Sequence, residues 1–276
     1  MKWKRLPRGG NVEDRRGTGG GIPIGVGGGG LALLVAIVFA LLTGNVPGGG
    51  GSSGGPLDAF PPVQTTGTNP VDDPDATLKD FSDRIFKDVD TTWAKIFQQA
   101  GRDYQPARLV LFTQATSSAC GGASSAVGPH YCPPDQTVYL DLSFFRELRD
   151  RFGASGDFAH AYVIAHEVGH HVQNELGIMD RVQNREDSIR LELQADCLAG
   201  VWGYTAEKRG LLDPGDTREA LDAAAAVGDD RIQQQTQGRV TPENWTHGSS
   251  EQRMKWFTRG MNRGDPAACD TFSGEI

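Results

Sequence analysis

The chain has no Cys-x-x-Cys pair, no internal repeat and no surplus of basic residues. The first absence argues against a structural zinc ribbon or finger. The second excludes solenoid and propeller architectures. The third, 27 Lys and Arg against 35 Asp and Glu, argues against nucleic acid as the main partner, because binding it needs a basic surface. Long apolar runs are scarce too, and one segment, 22–43, has the length and composition of a membrane span.

That segment divides the chain. Leu31–Leu42 carries no polar side chain, and Ile22–Gly30 extends it with Pro and Gly. Residues 1–20 hold Lys2, Lys4, Arg5, Arg8, Arg15 and Arg16 against Glu13 and Asp14, a net +4 that leaves −12 on the rest of a chain of net charge −8. A basic flank before a span is expected to stay inside, so residues 1–21 read as a cytoplasmic N-terminus and the remainder as exported. A cleaved signal peptide is the rival, but the charged region is long and no Ala-x-Ala site follows Leu42, so an uncleaved anchor is expected. Residues 44–77, with Gly48–Gly51, Pro61, Pro62, Pro70 and Pro74, read as a linker. Residues 78–276 suit one globular domain.

Within that domain the sharpest motif is His166-Glu167-Val168-Gly169-His170, preceded by the apolar run Ala161–Ala165. On a helix, positions i and i+4 share one face, so two imidazoles there can hold one Zn²⁺ with Glu167 beside the metal's water. The metal lowers the water's pKa and the carboxylate takes its proton. The bland alternative is a helix with two buried histidines and a solvated Glu. A third ligand is needed. The metzincin pattern fails, because Gln173 and Leu176 stand where its Gly and third His belong. Glu175 lies on the same helix off the ligand face. Glu192, on a second helical segment, is better placed, since Gly177 can end the first helix and let the chain reverse. Asp196 lies one turn beyond Glu192 and can accept the free N–H of a liganding imidazole. The pair could be plain surface acids, but Leu191, Leu193, Ala195, Cys197, Leu198 and Ala199 make the segment too apolar for that.

His-Glu-x-x-His followed by Glu-x-x-x-Asp resembles the gluzincin group of metallopeptidases. More narrowly, the chain resembles the bacterial "putative neutral zinc metallopeptidase" family with one N-terminal membrane span. The likeness extends to Asn11–Gly17, Tyr131–Gln136, Val138–Phe145 and His247–Arg253. It implies an α+β, mainly helical, zincin-like (gluzincin) domain with a small sheet beside the zinc helix. It also implies Zn²⁺ as cofactor and a peptide or protein substrate. The block His247–Arg253 resembles the His-Pro-x-x-x-x-Arg segment of membrane-embedded heat-shock and prenyl-protein proteases, with Gly248 in place of Pro. In those proteins the His faces the active site. His247 is therefore the expected donor to the oxyanion of the tetrahedral intermediate, with Tyr139, Tyr162 and Tyr204 as rivals. A helix-capping surface His is the plainer reading. Arg253 is expected to pair with Asp196 or another site carboxylate.

Four cysteines in an exported domain suggest disulfides and allow three pairings. Cys120 and Cys132 bracket the Gly-rich loop 121–131 and are expected to join, leaving Cys197 for Cys269. A buried free thiol at Cys197 is the alternative. Periodicity predicts helices at about 78–100, 144–152, 157–176, 186–209, 217–235 and 250–261, and strands at 108–112 and 137–142. The alternating 137–142 suits an edge strand that could pair with extended substrate. Ser249 and Gln252 have capping-box spacing. His130 could line the cleft, His171 reads as structural and His160 as a surface residue.

The expected protein is a membrane-anchored zinc endopeptidase with its catalytic domain outside the cytoplasm. His166, His170 and Glu192 are its expected ligands and Glu167 its general base. The rivals are a non-catalytic, zinc-stabilised peptide-binding module and a metal storage or delivery protein.

Overall fold

Phe81, Ile85, Phe86, Val89, Trp93 and Phe97 recur at helical spacing and are buried on one face of helix α1, Ala76–Gln99. Gly101, in the left-handed region at φ 69°, follows its end. The computed structural model describes residues 1–17 and 73–276. The expected span, 22–43, and the expected linker over 44–72 lie outside the described residues. The last two linker positions, Ala76 and Thr77, belong to α1. Among the described residues no helix is long and apolar enough to cross a membrane.

The fold is mainly helical with a small sheet, an α+β arrangement. The sheet contains β1 (Val12–Asp14), β2 (Arg108–Phe112), β5 (His130–Cys132) and β6 (Thr137–Asp141), in the order β1-β2-β6-β5. β1 runs parallel to β2 and β2 parallel to β6, while β5 lies antiparallel to β6. A separate hairpin, β3 (Ala115–Ser118) with β4 (Gly121–Ser124), fills the connection between β2 and β5. The expected edge strand over 137–142 is corrected. β6 is central and buried along its whole length, and β5 is the edge.

Five helices form the other part of the core after α2 (Ser143–Asp150): α3 (Asp157–Glu175), α4 (Arg185–Lys208), α5 (Asp216–Ala226), α6 (Asp229–Gln237) and α7 (Ser250–Arg263). α3 is buried nearly all round, which explains its unbroken apolar run. α4 is wedged between α3 and α7 by small residues. A Cβ on Gly169 of α3 would lie 3.0 Å from the Ala195 carbonyl oxygen of α4. One on Gly260 of α7 would lie 1.9 Å from the Cys197 carbonyl oxygen. The predicted helix 217–235 is two helices. The break at Val227-Gly228 lets the Asp229 carboxylate accept hydrogen bonds from the backbone N–H groups of Thr246, His247 and Gly248. The capping box at Ser249 and Gln252 forms as expected. Both expected disulfides, Cys120–Cys132 and Cys197–Cys269, are present.

The described part of the expected cytoplasmic N-terminus over 1–21 packs against the domain. Leu6 is buried in the core and Trp3 packs edge-on against Phe81 at 5.5 Å. Val12, Glu13 and Asp14 pair with Leu109, Val110 and Leu111. Arg16 bridges Asp14 and Asp73, and Lys79 also reaches Asp14. Lys2, Arg8 and Arg15 are likewise in ion pairs, with Asp213, Asp80 and Glu13, so four of the six basic residues that suggested a cytoplasmic flank are paired within the fold. The pairing of β1 with β2 joins the N-terminal segment to the sheet of the domain.

Arg8 and Arg218 are exposed, at 69% and 78% of their side chains, one on the N-terminal segment and one on α5. Single variants Arg8→Cys and Arg218→Cys, treated in intact and lysed cells with a membrane-impermeant maleimide, are expected to label alike. Opposite labelling would show that β1 is not paired with β2 in the cell.

Candidate metal centre

Helix α3 places His166 and His170 one turn apart, with ring centroids 4.7 Å apart and both side chains buried. Helix α4 brings Glu192 against them. Its Oε2 lies 3.2 Å from His166 Nε2 and its Oε1 lies 3.5 Å from His170 Nε2. The approach depends on Gly169 and Ala195, because a larger residue at 169 would push α4 outward. The three ligand atoms lie within 4.8 Å of one another. A tetrahedral ion with bonds of ~2.1 Å requires donors roughly 3.4 Å apart, so these residues fit zinc.

The far sides of both rings are also engaged. His166 Nδ1 donates to Asp196 Oδ1 at 2.9 Å. His170 Nδ1 donates to Gln173 Oε1 at 2.8 Å. With the protons on Nδ1, both Nε2 lone pairs face Glu192, as metal ligation requires. Asp196 is fully buried and accepts from four donors: His166 Nδ1, Tyr162 Oη, Arg253 Nη2 and Arg253 Nε. The expected pairing of Arg253 with Asp196 is therefore present, and Tyr162 joins it.

Charge explains why these groups stay together. Burial pushes the Asp196 carboxyl up, but Arg253 and His166 outweigh it and hold it below the usual range. Burial likewise opposes charge on Glu192, and the two imidazoles overrule it. Burial disfavours a charged His166, yet Asp196 and Glu192 raise its pKa to about 9. Two buried carboxylates face one guanidinium, so the cluster recruits a second positive charge. Without metal, Asp196 and Glu192 favour a second proton on His166, at Nε2, the position a metal ion would take.

Glu167 is buried at 7% exposure but lines a cleft of about 250 Å³ that also contains His166, His170 and Glu192. No described donor engages its carboxylate. His247 lines the same cleft. Its Nδ1 lies 3.2 Å from Asp229 Oδ1 and 2.9 Å from Thr246 Oγ1, which leaves Nε2 for the cleft. Burial lowers the pKa of this imidazole, but Asp229 and Glu192 together raise it. Among the rival donors, Tyr139 is committed to Asp135 and Tyr162 to Asp196, and Tyr204 does not line the cleft.

His130 lines the cleft, stacked on Tyr139. His171 is buried between Tyr131 Oη and the Gln105 carbonyl, a structural role. His160 is corrected from a surface residue. It stacks on Phe145 at 4.2 Å, and burial lowers its pKa to about 4. Glu175 faces Gln105 and Gln136, away from the ligands. Sequence reasoning did not find Asp229 or Gln173. The signal for the first is an acid after the Val227-Gly228 break, and for the second an amide three residues past His170. A second acidic group, Asp157, Asp216 and Glu219, already has the Met1 ammonium against it.

The family model described as "Putative neutral zinc metallopeptidase" matches residues 1–272. The chain is 44% identical over 293 aligned residues to "Uncharacterized protein YpfJ" of Escherichia coli (strain K12), covering all of both chains. It is 51% identical over 201 residues to "Uncharacterized protein Mb2605" of Mycobacterium bovis, covering 67% of each. "Uncharacterized protein Rv2575" of Mycobacterium tuberculosis (strain ATCC 25618 / H37Rv) matches to the same extent. No solved structure matches the chain.

Zinc must displace the proton on His166, so its apparent affinity should climb about tenfold per pH unit up to about 9. In the metal-free protein the sign is opposite. The raised pKa stabilises the fold at pH below about 6.5, and that contribution is lost as pH rises through about 9. Chelator competition should rank two variants. Asp196→Asn is expected to weaken zinc about 10–100-fold, and Glu192→Ala to weaken it further by deleting a ligand. Normal zinc binding by Glu192→Ala would move the third ligand elsewhere.

Proposed function

The chain belongs to the family described as putative neutral zinc metallopeptidases, and from that membership we propose that it is a zinc-dependent endopeptidase with a gluzincin-like site. The observation that carries this reading is Glu167. It is a carboxylate without a described hydrogen-bond donor, facing an open cleft beside three residues spaced to hold one zinc ion.

His166, His170 and Glu192 would hold Zn²⁺, which supplies Lewis-acid polarisation and lowers the pKa of water. Glu167 accepts a proton from the attacking water on its carboxylate and delivers it to the departing amine nitrogen. His247 is held through Nδ1 by Asp229 and offers Nε2–H to the negative charge developing on the scissile carbonyl oxygen. Asp229 and Glu192 raise its pKa and so favour the protonated, donating form. Asp196 and Arg253 fix the His166 ring and take no part in proton transfer.

The edge strand β5 suits an extended substrate. His130 and Tyr131 line the cleft, and the outer side of the strand has no partner strand among the described residues. Peptides and unfolded chains can present backbone to such an edge, whereas folded domains cannot. Val163, Leu191, Val227 and Ile232 add an apolar wall. Two disulfides favour an oxidising compartment, so we place the domain outside the cytoplasm. Membrane attachment through residues 22–43 is part of the proposal, with residues 1–17 on the same side as the domain.

The test is hydrolysis of a quenched fluorescent peptide library by the full chain. Glu167→Gln is expected to lower kcat by about 10²–10⁴-fold with zinc content unchanged. His247→Ala is expected to lower kcat by about 10²–10³-fold with little change in KM. Wild-type turnover in Glu167→Gln would remove the proposed mechanism, leaving zinc as a staple between helices.

A further inference from the structure

The two imidazoles of the site are held in different ways. His166 leans on a carboxylate, whereas His170 leans on a neutral amide that starts a chain of hydrogen bonds. His170 Nδ1 donates to Gln173 Oε1 at 2.8 Å. Gln173 Nε2 donates to the Leu191 carbonyl at 2.7 Å and to Gln194 Oε1 at 3.0 Å. Gln194 Nε2 donates to the Cys269 carbonyl at 2.9 Å. Gln173 and Gln194 are both buried. Neither contacts Glu192, Glu167 or Asp196 through any of these bonds.

The direction of this chain is fixed at its far end. A backbone carbonyl only accepts, so Gln194 must turn its NH₂ to Cys269 and its oxygen to Gln173. Gln173 meets two acceptors, the Leu191 carbonyl and Gln194 Oε1, and must turn its NH₂ to both. Its oxygen is then the only atom left for His170, and an oxygen there requires the proton on Nδ1. The tautomer that frees Nε2 for a metal is thus dictated by two main-chain carbonyls, of Leu191 and Cys269, neither of which belongs to the ligand set. One belongs to Cys269, in a tail tied to α4 by the Cys197–Cys269 disulfide and by Thr271 Oγ1 donating to the Arg190 carbonyl at 2.6 Å.

We propose that Gln173 and Gln194 are positioning residues that lock His170 in the Nδ1–H tautomer, linking the metal centre to the disulfide-anchored C-terminal tail. The inference rests on the metal-site reading above, but not on peptidase activity. Oriented donors in a buried chain polarise one another, so loss at the far end is felt at His170.

The experiment uses the full chain with ¹⁵N-labelled histidine and two readouts. One is the His170 tautomer of the metal-free protein, read from ring ¹⁵N shifts in alkaline buffer. The other is zinc affinity by chelator competition. Gln173→Leu is expected to shift His170 towards the Nε2–H tautomer and to weaken zinc about 10–100-fold. Gln173→Met keeps the volume but offers neither the oxygen nor the NH₂, and should shift the tautomer as Gln173→Leu does, which a purely space-filling role for Gln173 would not produce. Gln194→Met does not touch His170, yet is expected to move both readouts in the same direction as Gln173→Leu by a smaller amount. Unchanged tautomer and affinity in folded Gln194→Met, or an unchanged tautomer in folded Gln173→Met, would overturn the proposal. If the wild-type chain binds no zinc, the proposed function fails while the tautomer measurement still decides this one.

Discussion

The close approach of α3 and α4 at Gly169 and Ala195 is the constraint on which the site depends. Two helices whose backbones nearly touch can share one small cluster of ligand atoms. Moved apart by even a methyl group's width, Glu192 would no longer reach both imidazoles. The same helix α4 is pinned from behind by α7, where Gly260 meets the Cys197 carbonyl. Packing therefore fixes the ligand geometry before any metal binds. This matters energetically, because a buried ligand set that must assemble on binding loses affinity to the cost of ordering it.

Electrostatics adds a second layer to that geometry. Asp196 and Glu192 are acids placed where water cannot solvate them well, and each survives as an anion only through neighbouring positive charge. Arg253 answers Asp196 through two nitrogens, a planar match that lysine could not make. Among the described residues no Lys or Arg answers Glu192 in the same way. Its counter-charge is exchangeable, a proton or a divalent cation. An ion that must be replaceable, and a scaffold that must not be, are thus supplied by adjacent turns of one helix.

Much of this was legible in the sequence where interactions are local. The i, i+4 spacing of His166 and His170, the Glu192-to-Asp196 turn and the capping box at Ser249 follow from helical period alone. The paired cysteines followed from simple bracketing and elimination. The three-residue strands β1 and β5 were not legible, since so few residues carry no period and their pairing partners are remote. β1 was masked further by the basic residues on either side of it, which read as a membrane flank and of which Lys2, Arg8, Arg15 and Arg16 form ion pairs within the fold. Gln173 and Gln194 look like ordinary helix-surface residues, and only their neighbours show that they are buried. The break before Asp229 was hidden because alanines and glutamines support helix on both sides of it.

The N-terminal strand has an effect beyond completing the sheet. An unpaired strand edge is a template on which any extended chain can grow, which is the first step of aggregation. β1 closes that edge of β2 with a strand only three residues long, carrying Glu13 and Asp14 and followed by Arg15 and Arg16. Such a short, charged border offers little for a further strand to bind. At the opposite border, β5 has no further partner strand among the described residues and lies beside the cleft. The two borders thus differ, and an unfolded polypeptide that added to β5 would lie on the side where Glu167 stands.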